Sequence, residues 1–186
     1  MKNILLIGGA GYVGTILISK LLSKNYKITC LDLMIYGQEH LPKNENLNII
    51  KGDLRDIKLL EKIIINFDSV IHLACISNDP SFELNPELGK SINYDPFEPM
   101  IKICENNGVK KFIYASSSSV YGIKNEKDVH EEMSLEPLTD YSRFKVKCEE
   151  ILQKNNSKNF HSTIIRPATV CGFSPRQRLD VIVNIL

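Results

Sequence analysis

Short apolar runs alternate with longer amphipathic segments along the chain. This periodicity predicts strands at residues 3–7, 27–31, 47–50, 69–73, 111–115 and 162–166, and helices at 13–24, 57–66, 99–107 and 140–154. Such alternation is typical of a parallel sheet with helices on both faces. We therefore predict an α/β fold with a doubly wound parallel sheet, whose functional loops lie at the carboxyl ends of the strands.

The composition narrows the class of protein and of partner. A chain of 186 residues, 43% hydrophobic and 24% charged, suits one soluble domain. The net charge of +1 predicts no nucleic acid or membrane partner and favours a small metabolite. Five scattered cysteines without a C-x-x-C pair indicate reduced thiols, mostly in the core, and a cytoplasmic location. The apolar run Ile4–Ile7 is too short for a signal peptide or a membrane span.

A glycine-rich segment, residues 8–14, joins the first predicted strand to the first predicted helix with the spacing G-x-x-G-x-x-G. Glycines allow a tight turn and close approach of a diphosphate to the helix N-terminus. Asp32 ends the second strand, where its carboxylate can accept hydrogen bonds from a ribose diol and repel a 2′-phosphate. Residues 33–38 contain no arginine, so NAD is favoured over NADP. The alternative is a plain strand–helix turn beside a solvated aspartate. The expected cofactor-binding residues of this region are Gly8, Gly11, Tyr12, Val13, Gly14 and Asp32.

Two further strand ends belong to the expected cofactor site. Asp53 and Leu54 follow the third strand, and Asp53 is a candidate ligand for the adenine amine. For Asp53 a helix N-cap or turn role is an equal alternative. Leu73 and Ala74 end the fourth strand, where small residues let a dinucleotide lie close.

The candidate catalytic residues follow the fifth strand. Residues 112–115 lead into four serines, Ser116–Ser119, and Tyr141 and Lys145 lie four apart in a helical pattern. That spacing places phenol and ammonium on one helix face. A tyrosine has a pKa of about 10, which a nearby cation lowers, so the pair is a candidate acid/base. The alternative is an ordinary strand serine and an exposed pair on a helix.

Other polar residues are assigned to the structure. His72 lies inside an apolar strand and is predicted to be a core histidine with satisfied hydrogen bonds. No His, Cys and Asp residues have metal-ligand spacing, so we predict no metal.

Taken together, these segments resemble the extended short-chain dehydrogenase/reductase superfamily, in particular its NAD-dependent epimerase/dehydratase family acting on nucleotide sugars. The residues that carry the resemblance are those of the glycine segment with Asp32, Asp53, Ser117, Tyr141 and Lys145. The resemblance covers the whole chain. It implies a Rossmann-type fold, NAD as the cofactor and a nucleotide sugar as the substrate.

The family pattern also selects one serine among the four. Its catalytic serine or threonine lies four residues before the tyrosine of a V-Y-G motif, here Tyr121, which points to Ser117. The next two positions hold Asp-Glu in 4,6-dehydratases, whereas this chain has Ser118 and Ser119. The resemblance therefore implies hydride chemistry without dehydration.

Further positions are assigned by the same resemblance. Asn93 matches an asparagine that organises the nicotinamide end, although Pro96 stands where glycine is usual and is expected to alter the local backbone. The segment 166–172 resembles R-x-x-N-x-Y-G, with threonine replacing the asparagine that often touches substrate. The arginines at 176 and 178 could clamp a diphosphate. The candidate substrate residues are Ser118, Thr169, Arg176 and Arg178.

The family's C-terminal part supplies most of its sugar-nucleotide pocket. We therefore expect residues 1–186 to form the NAD-binding Rossmann domain, with 166–186 as the truncated start of a substrate-binding region. Residues 179–186 are still apolar where the sequence stops, which predicts a helix cut short. The resemblance also implies a homodimer packed through residues 90–107 and 140–154. Segments 77–82 and 173–180 are similar to a subgroup that acts on bacterial surface sugars, including GDP-heptoses.

The resulting hypothesis is NAD-dependent oxidation or epimerisation of a nucleotide sugar, with hydride transfer at a sugar carbon, expected to be C4. Tyr141 as phenolate takes the hydroxyl proton, while NAD⁺ accepts the hydride. Ser117 holds the substrate oxygen, and Lys145 lowers the tyrosine pKa and binds the nicotinamide ribose. Two alternatives stay open: a non-catalytic or truncated NAD(H)-binding fragment, and an extended reductase of a non-sugar carbonyl substrate.

Overall fold

Six parallel strands form the central sheet of the computed structural model, which describes residues 2–185. In chain order the elements are β1 (Asn3–Ile7), α1 (Tyr12–Leu22), β2 (Lys27–Asp32), β3 (Leu47–Lys51), α2 (Ile57–Ile63), β4 (Ser69–His72), α3 (Asp79–Glu83), α4 (Pro86–Asn93), α5 (Phe97–Asn106), β5 (Lys111–Ala115), a 3₁₀ turn (Ser118–Tyr121), α6 (Asp140–Asn155), β6 (His161–Ile165) and a second 3₁₀ turn (Ile182–Asn184). The strand order across the sheet is β3-β2-β1-β4-β5-β6. This arrangement confirms the predicted doubly wound parallel sheet.

The strand order reverses between β1 and β4. The chain runs outward from β1 to β3, then returns to place β4 on the other side of β1, with Ile7 beside His72 at their carboxyl ends. Open α/β sheets bind ligands at the carboxyl ends of the strands where the strand order reverses, which here is between β1 and β4. The glycine segment and Ala74 follow directly after these two ends.

Both faces of the sheet are covered by helices, which explains the apolar strand sequences. On one face, Leu5, Val70 and Phe112 belong to a core cluster with residues of α2, α5 and α6. On the other, Leu6 and Ile28 pack with residues of α1. Strands buried on both faces are expected to be apolar throughout rather than alternating.

The sequence predicts every strand to within one residue at either end, but it misses α3 and α4. These two helices have five and eight residues, and their start signals are polar: the Asn78 and Asn85 side chains cap them, each with a proline in the first turn. Proline and asparagine in a run suggest a loop, although both are also suited to a helix start.

The predicted helix over 179–186 is wrong for the described part, residues 179–185, which form only the second 3₁₀ turn; Leu186 lies outside the described residues. The Asn184 side chain explains the turn. Its amide donates to the Arg178 carbonyl at 2.9 Å and accepts from the Gly172 N–H at 2.9 Å. The segment therefore folds around Asn184 instead of extending as a helix.

Three of the five cysteines lie in the core. Cys30, Cys104 and Cys148 are buried as predicted, and burial raises the pKa of each thiol to about 12. Cys75 is half-buried and Cys171 is exposed, so they lie outside the core. Across residues 2–185, no helix has the length and apolar content to cross a bilayer, and no three His, Cys, Asp or Glu residues gather as a metal site.

His72 lies in the core as predicted, but its hydrogen bonding was predicted wrongly. Its imidazole is 2% exposed and stacks on the Tyr114 ring, with centroids 5.8 Å apart. Nδ1 has no hydrogen-bond partner among the described residues. Burial, helped by the charge of Lys145, lowers the His72 pKa from 6.5 to about 3.

We expect His72 to make the fold sensitive to acid. Between pH 6.5 and about 3 the unfolded chain binds a proton at this residue while the folded chain does not, so stability falls as the pH falls and levels off below about 3. In His72→Phe, the slope of unfolding free energy against pH should decrease by up to about 1.4 kcal/mol per pH unit. Urea unfolding at pH 5–6.5 measures it. The exposed His161→Gln is the control, and an unchanged slope in His72→Phe would refute the assignment.

Candidate active site

The glycine segment forms a tight turn between β1 and α1. Gly8 has φ +84°, and a Cβ there would lie 2.4 Å from the Ala74 nitrogen on β4's exit loop. A Cβ on Gly14 would lie 2.5 Å from the Gly9 carbonyl oxygen. Since both contacts are with backbone atoms, the chain itself requires glycine at these two positions.

Gly11 differs because none of its described neighbours requires its small size. It has φ −79° at the N-cap of α1, and a Cβ there would meet only the Gly8 oxygen, at 3.5 Å. Among the described residues no side chain caps α1, and its first turn has no acidic residue, so the N–H groups of Tyr12 and Val13 face an open, electropositive helix end. This opening fits the diphosphate of a dinucleotide.

Asp32 is fixed beside the glycine segment. Its carboxylate accepts hydrogen bonds from the Ala10 N–H at 3.0 Å and the Met34 N–H at 2.9 Å. Each carboxylate oxygen has a second lone pair, so the group can also accept from a ribose diol. It lies at the end of β2 as predicted, and its role in NAD binding stays a prediction.

The Asp53 carboxylate forms its bonds within its own turn. It forms a bidentate pair with Arg55, including Nη2–Oδ2 at 2.5 Å, and accepts the Arg55 N–H at 2.9 Å. This hydrogen bonding to Arg55 holds the pKa of the carboxyl below its usual value. The N-cap of α2 is Asp56, so Asp53 is a turn residue, and its contact with adenine stays a prediction. Leu54 beside it is buried.

The exit from β4 is lined by Leu73 and Ala74, both half-buried, whose N–H groups donate to the Ile7 carbonyl at 2.8 and 3.0 Å. Asn93, at the end of α4, binds the same loop: its side chain accepts from the Ile76 N–H at 2.8 Å and donates to the Ile76 carbonyl at 3.0 Å. Asn93 therefore fixes the backbone after β4.

Pro96 lies between two helices, and the predicted difference from the family's backbone stays a prediction. α4 ends at Asn93 and α5 begins at Phe97, with Pro96 at the N-cap. A proline at that point loses no helical hydrogen bond, since an N–H at a helix start has no partner within the helix.

Helix α6 carries the tyrosine and the lysine. A reciprocal capping box between Thr139 and Ser142 starts the helix one residue before Tyr141. Tyr141 and Lys145 are 7% and 3% exposed, so both belong to the buried face instead of an exposed pair. The structure thus brings the predicted phenol and ammonium to one helix face.

Lys145 is held between β5 and two aromatic rings. Its ammonium donates to the Ala115 carbonyl at 2.7 Å and lies 4.8 Å from the Tyr114 ring centroid and 5.7 Å from that of Tyr141. A lysine ammonium has three N–H donors, so it can also bind a ribose hydroxyl.

Ser117 is oriented as a hydrogen-bond donor. Its Oγ accepts from the Ser119 N–H at 3.2 Å and from the Ser119 hydroxyl at 2.9 Å. A hydroxyl has two acceptor sites and one donor, so its own proton is left to donate. Ser117 lies near enough to Tyr141 for its hydroxyl to lower the pKa of the phenol, so the two predicted catalytic groups are neighbours.

The pKa of Tyr141 departs from the expected direction. Burial raises the pKa of the phenol, and the Cys75 thiol and the Asp79 carboxylate act in the same direction. The hydrogen bond of Ser117 and the charge of Arg178 lower it, but burial dominates. The net lowering of this pKa that was predicted is therefore not found, since the helical spacing gives the face of a residue but not its depth.

The four candidate substrate residues are not gathered in one place. Arg178 pairs with Asp180, Nη2–Oδ2 2.7 Å, near enough to Tyr141 for its charge to affect the phenol. The guanidinium of Arg176 lies 3.6 Å from the centroid of the Tyr36 ring, beyond β2. The Ser118 N–H donates to the Pro167 carbonyl at 2.9 Å, and Thr169 is exposed.

Sequence reasoning missed several neighbours of this site. Cys75 and Asp79 act on Tyr141, as described above. Glu149 and Arg166 form a buried ion pair behind the serines. One signal was present for Glu149, which follows Lys145 by four residues and so belongs to the same helix face.

Comparison with known proteins identifies relatives of the whole described chain. The family model described as "NAD dependent epimerase/dehydratase family" matches residues 4–184. The N-acetyl-alpha-D-glucosaminyl-diphospho-ditrans,octacis-undecaprenol 4-epimerase of Escherichia coli O157:H7 is 33% identical over 175 residues, 91% of this chain and 49% of that protein. This chain spans about half the length of the curated relatives it matches.

Solved structures agree with the fold. The UDP-N-acetylglucosamine 4-epimerase from Methanobrevibacter ruminantium, in complex with UDP-N-acetylmuramic acid, has a TM-score of 0.82 and 33% identity, covering 89% of this chain and 54% of that one. The UDP-glucose 4-epimerase of Thermus thermophilus, in complex with NAD, has a TM-score of 0.80 and 25% identity, covering 88% and 54%.

Proposed function

Since the chain belongs to the NAD dependent epimerase/dehydratase family, we propose that it oxidises or epimerises a nucleotide sugar by hydride transfer at C4, with Tyr141 as the base. NAD is the cofactor of this family, and the relatives reported above are 4-epimerases of nucleotide or lipid-diphosphate sugars. The observation that carries the proposal is the convergence of Ser117, Tyr141 and Lys145 at the carboxyl end of β5.

The cofactor's place follows from the open helix end. Gly11 and the first-turn N–H groups of α1 would hold the diphosphate, and Asp32 would accept from the adenosine ribose. Lys145 would bind the nicotinamide ribose. When bound, NAD⁺ would supply the hydride acceptor and a positive ring that favours the phenolate.

The chain's own groups would handle the proton. Tyr141 as phenolate takes the proton of the sugar hydroxyl while the hydride leaves the same carbon. The Ser117 proton, which has no role in the bonds from Ser119, donates to the sugar oxygen and stabilises its developing charge. Burial of Tyr141 keeps water from this proton.

Product analysis tests the proposal. The protein is incubated with NAD⁺ and, separately, UDP-glucose, UDP-N-acetylglucosamine and a GDP-hexose, and the sugars are separated by chromatography. We expect the 4-epimer or a keto-sugar from at least one of them. Absence of any product, with NAD⁺ bound, would refute the proposed reaction.

A non-catalytic NAD(H)-binding module is the second candidate, and the raised pKa of Tyr141 is the observation that favours it. It predicts NAD⁺ binding without turnover of any nucleotide sugar, and the same experiment separates the two. The homodimer, the cytoplasmic location and the finer likeness to GDP-heptose enzymes stay predictions.

Asp32 should set the choice between NAD and NADP. In Asp32→Asn the amide oxygen can still accept one of the two backbone N–H bonds, but the charge that repels a 2′-phosphate is gone. We expect NAD⁺ affinity to fall by about 1.5–3 kcal/mol, the range for hydrogen bonds to charged groups, and NADP⁺ affinity to rise. Calorimetric titration of both nucleotides measures this, with the exposed Asp128→Asn as control. Unchanged affinities would exclude contact of Asp32 with the ribose.

A further inference from the structure

Glu149 and Arg166 form a buried ion pair behind the predicted catalytic residues. Arg166 Nη2 lies 2.6 Å from Glu149 Oε2, and Nε donates to both carboxylate oxygens at 3.1 Å. The Glu149 and Arg166 side chains are 1% and 13% exposed. Glu149 lies on α6, one turn beyond Lys145 and two beyond Tyr141, and Arg166 follows β6 directly.

The ion pair binds both ends of the segment 116–121, which begins with the four serines. Ser116 donates a hydrogen bond to the Glu149 carboxylate, while Arg166 Nη1 donates to the Tyr121 hydroxyl at 2.8 Å. The same guanidinium lies 5.0 Å from the Tyr121 ring centroid. Ser117 lies between these two anchors, next to Ser116.

A role in stability alone is a poor explanation for this pair. Removing two charges from water is costly, and well-packed apolar residues of similar volume often stabilise a fold as well or better. An apolar pair makes no directional contacts, so it cannot hold a serine hydroxyl and a tyrosine hydroxyl at fixed angles. The pair joins α6, β6 and the segment after β5 at defined distances.

We propose that Glu149 and Arg166 are positioning residues, which fix the Ser117 hydroxyl relative to the Tyr141 phenol and Lys145. The inference rests on the proposed function for its kinetic consequence. A reacting group displaced by about 1 Å can cost on the order of 100-fold in rate, so small movements of Ser117 suffice. Neither residue of the pair touches substrate in this proposal.

A double variant separates positioning from stability. Glu149→Gln with Arg166→Gln removes both charges at once, so no unpaired charge stays buried, and the shorter glutamine side chain at position 166 loses its reach to Tyr121. We expect kcat to fall by roughly 10–100-fold, with the Kd for NAD⁺ within about twofold of the original. Hydrogen exchange should accelerate at the N–H groups of Ser118, Val120 and Gly122, which bond to Pro167, Ser117 and Ser119.

Two single variants serve as controls for the double variant. Glu132→Gln removes the carboxylate that His130 contacts at 2.8 Å on the surface and should change neither rate nor exchange. Tyr121→Phe removes only the hydroxyl that Arg166 binds, so the fall in kcat and the rise in exchange should be smaller than in the double variant. This variant still tests the inference if the double variant unfolds. If the unchanged protein has no turnover, the proposed function fails, and exchange alone decides the inference. Exchange over residues 116–122 that stays as in the unchanged protein in both variants would overturn it.

Discussion

Replacing Tyr141 with phenylalanine is expected to lower kcat for a nucleotide sugar by roughly 10²–10⁴-fold, the usual contribution of a positioned acid/base. The substitution removes only the phenol oxygen. The ring keeps its edge contact with Phe82, at 6.2 Å between centroids, and its place beneath Lys145. The free energy of unfolding should therefore change by less than about 1 kcal/mol.

The kinetic measurement includes a control substitution at a second tyrosine and a series of pH values. Tyr26→Phe, remote from β5 and α6, is the control and should turn over normally. Because burial raises the pKa of Tyr141, the phenolate fraction grows towards alkaline pH, and kcat/KM of the unchanged protein should rise with pH. Near-normal turnover in Tyr141→Phe would remove Tyr141 from the mechanism.

Two glycine variants should separate folding from cofactor binding, which is the second large effect expected. Gly14→Ala places a methyl 2.5 Å from the Gly9 carbonyl oxygen, so α1 must shift away from the turn. Overpacking of this kind costs about 1–3 kcal/mol, which outweighs the gain of roughly 1 kcal/mol from alanine's helix propensity. NAD⁺ binding should be lost together with stability.

Gly11→Ala is expected to behave differently. Its methyl meets only the Gly8 oxygen at 3.5 Å, an ordinary contact, so stability should fall only by the loss of a preferred N-cap residue, about 1 kcal/mol or less. The methyl enters the space in front of α1, and we expect NAD⁺ binding to weaken by at least about tenfold, or 1.4 kcal/mol. Thermal unfolding and calorimetry measure both properties. Normal NAD⁺ affinity in Gly11→Ala would exclude the diphosphate from this helix end.

The strands and α6 could be predicted because their patterns are strong. The central strands are apolar throughout since both faces are covered, and α6 repeats buried residues at helical spacing from Tyr141 to Leu152. α3 and α4 were missed because they are short and begin with asparagine and proline. The turn around Asn184 depends on contacts with Arg178 and Gly172, which periodicity does not encode.

The residues of the candidate site could be predicted from the sequence, but the pKa of Tyr141 could not. Motif spacing placed Ser117, Tyr141 and Lys145, which the structure brings together. It did not give the depth of Tyr141, and so gave the wrong direction for its pKa. The contact of Glu149 with Arg166 spans 17 residues and depends on the packing of α6 against β6, which the periodicity of either segment does not encode.

Transfer of deuterium from a sugar labelled at C4 tests the central claim most directly. The protein is incubated with NAD⁺ and UDP-galactose carrying deuterium at C4, then denatured, and both the released cofactor and the sugars are analysed by mass spectrometry and NMR. Hydride transfer at C4 predicts either NADH that carries the deuterium beside a 4-keto sugar, or a 4-epimer that keeps its deuterium at C4 because NADH returns it there, and neither product from Tyr141→Phe. UDP-galactose recovered unchanged, or an epimer that has lost its deuterium to solvent, with NAD⁺ bound to the unchanged protein, would contradict the account.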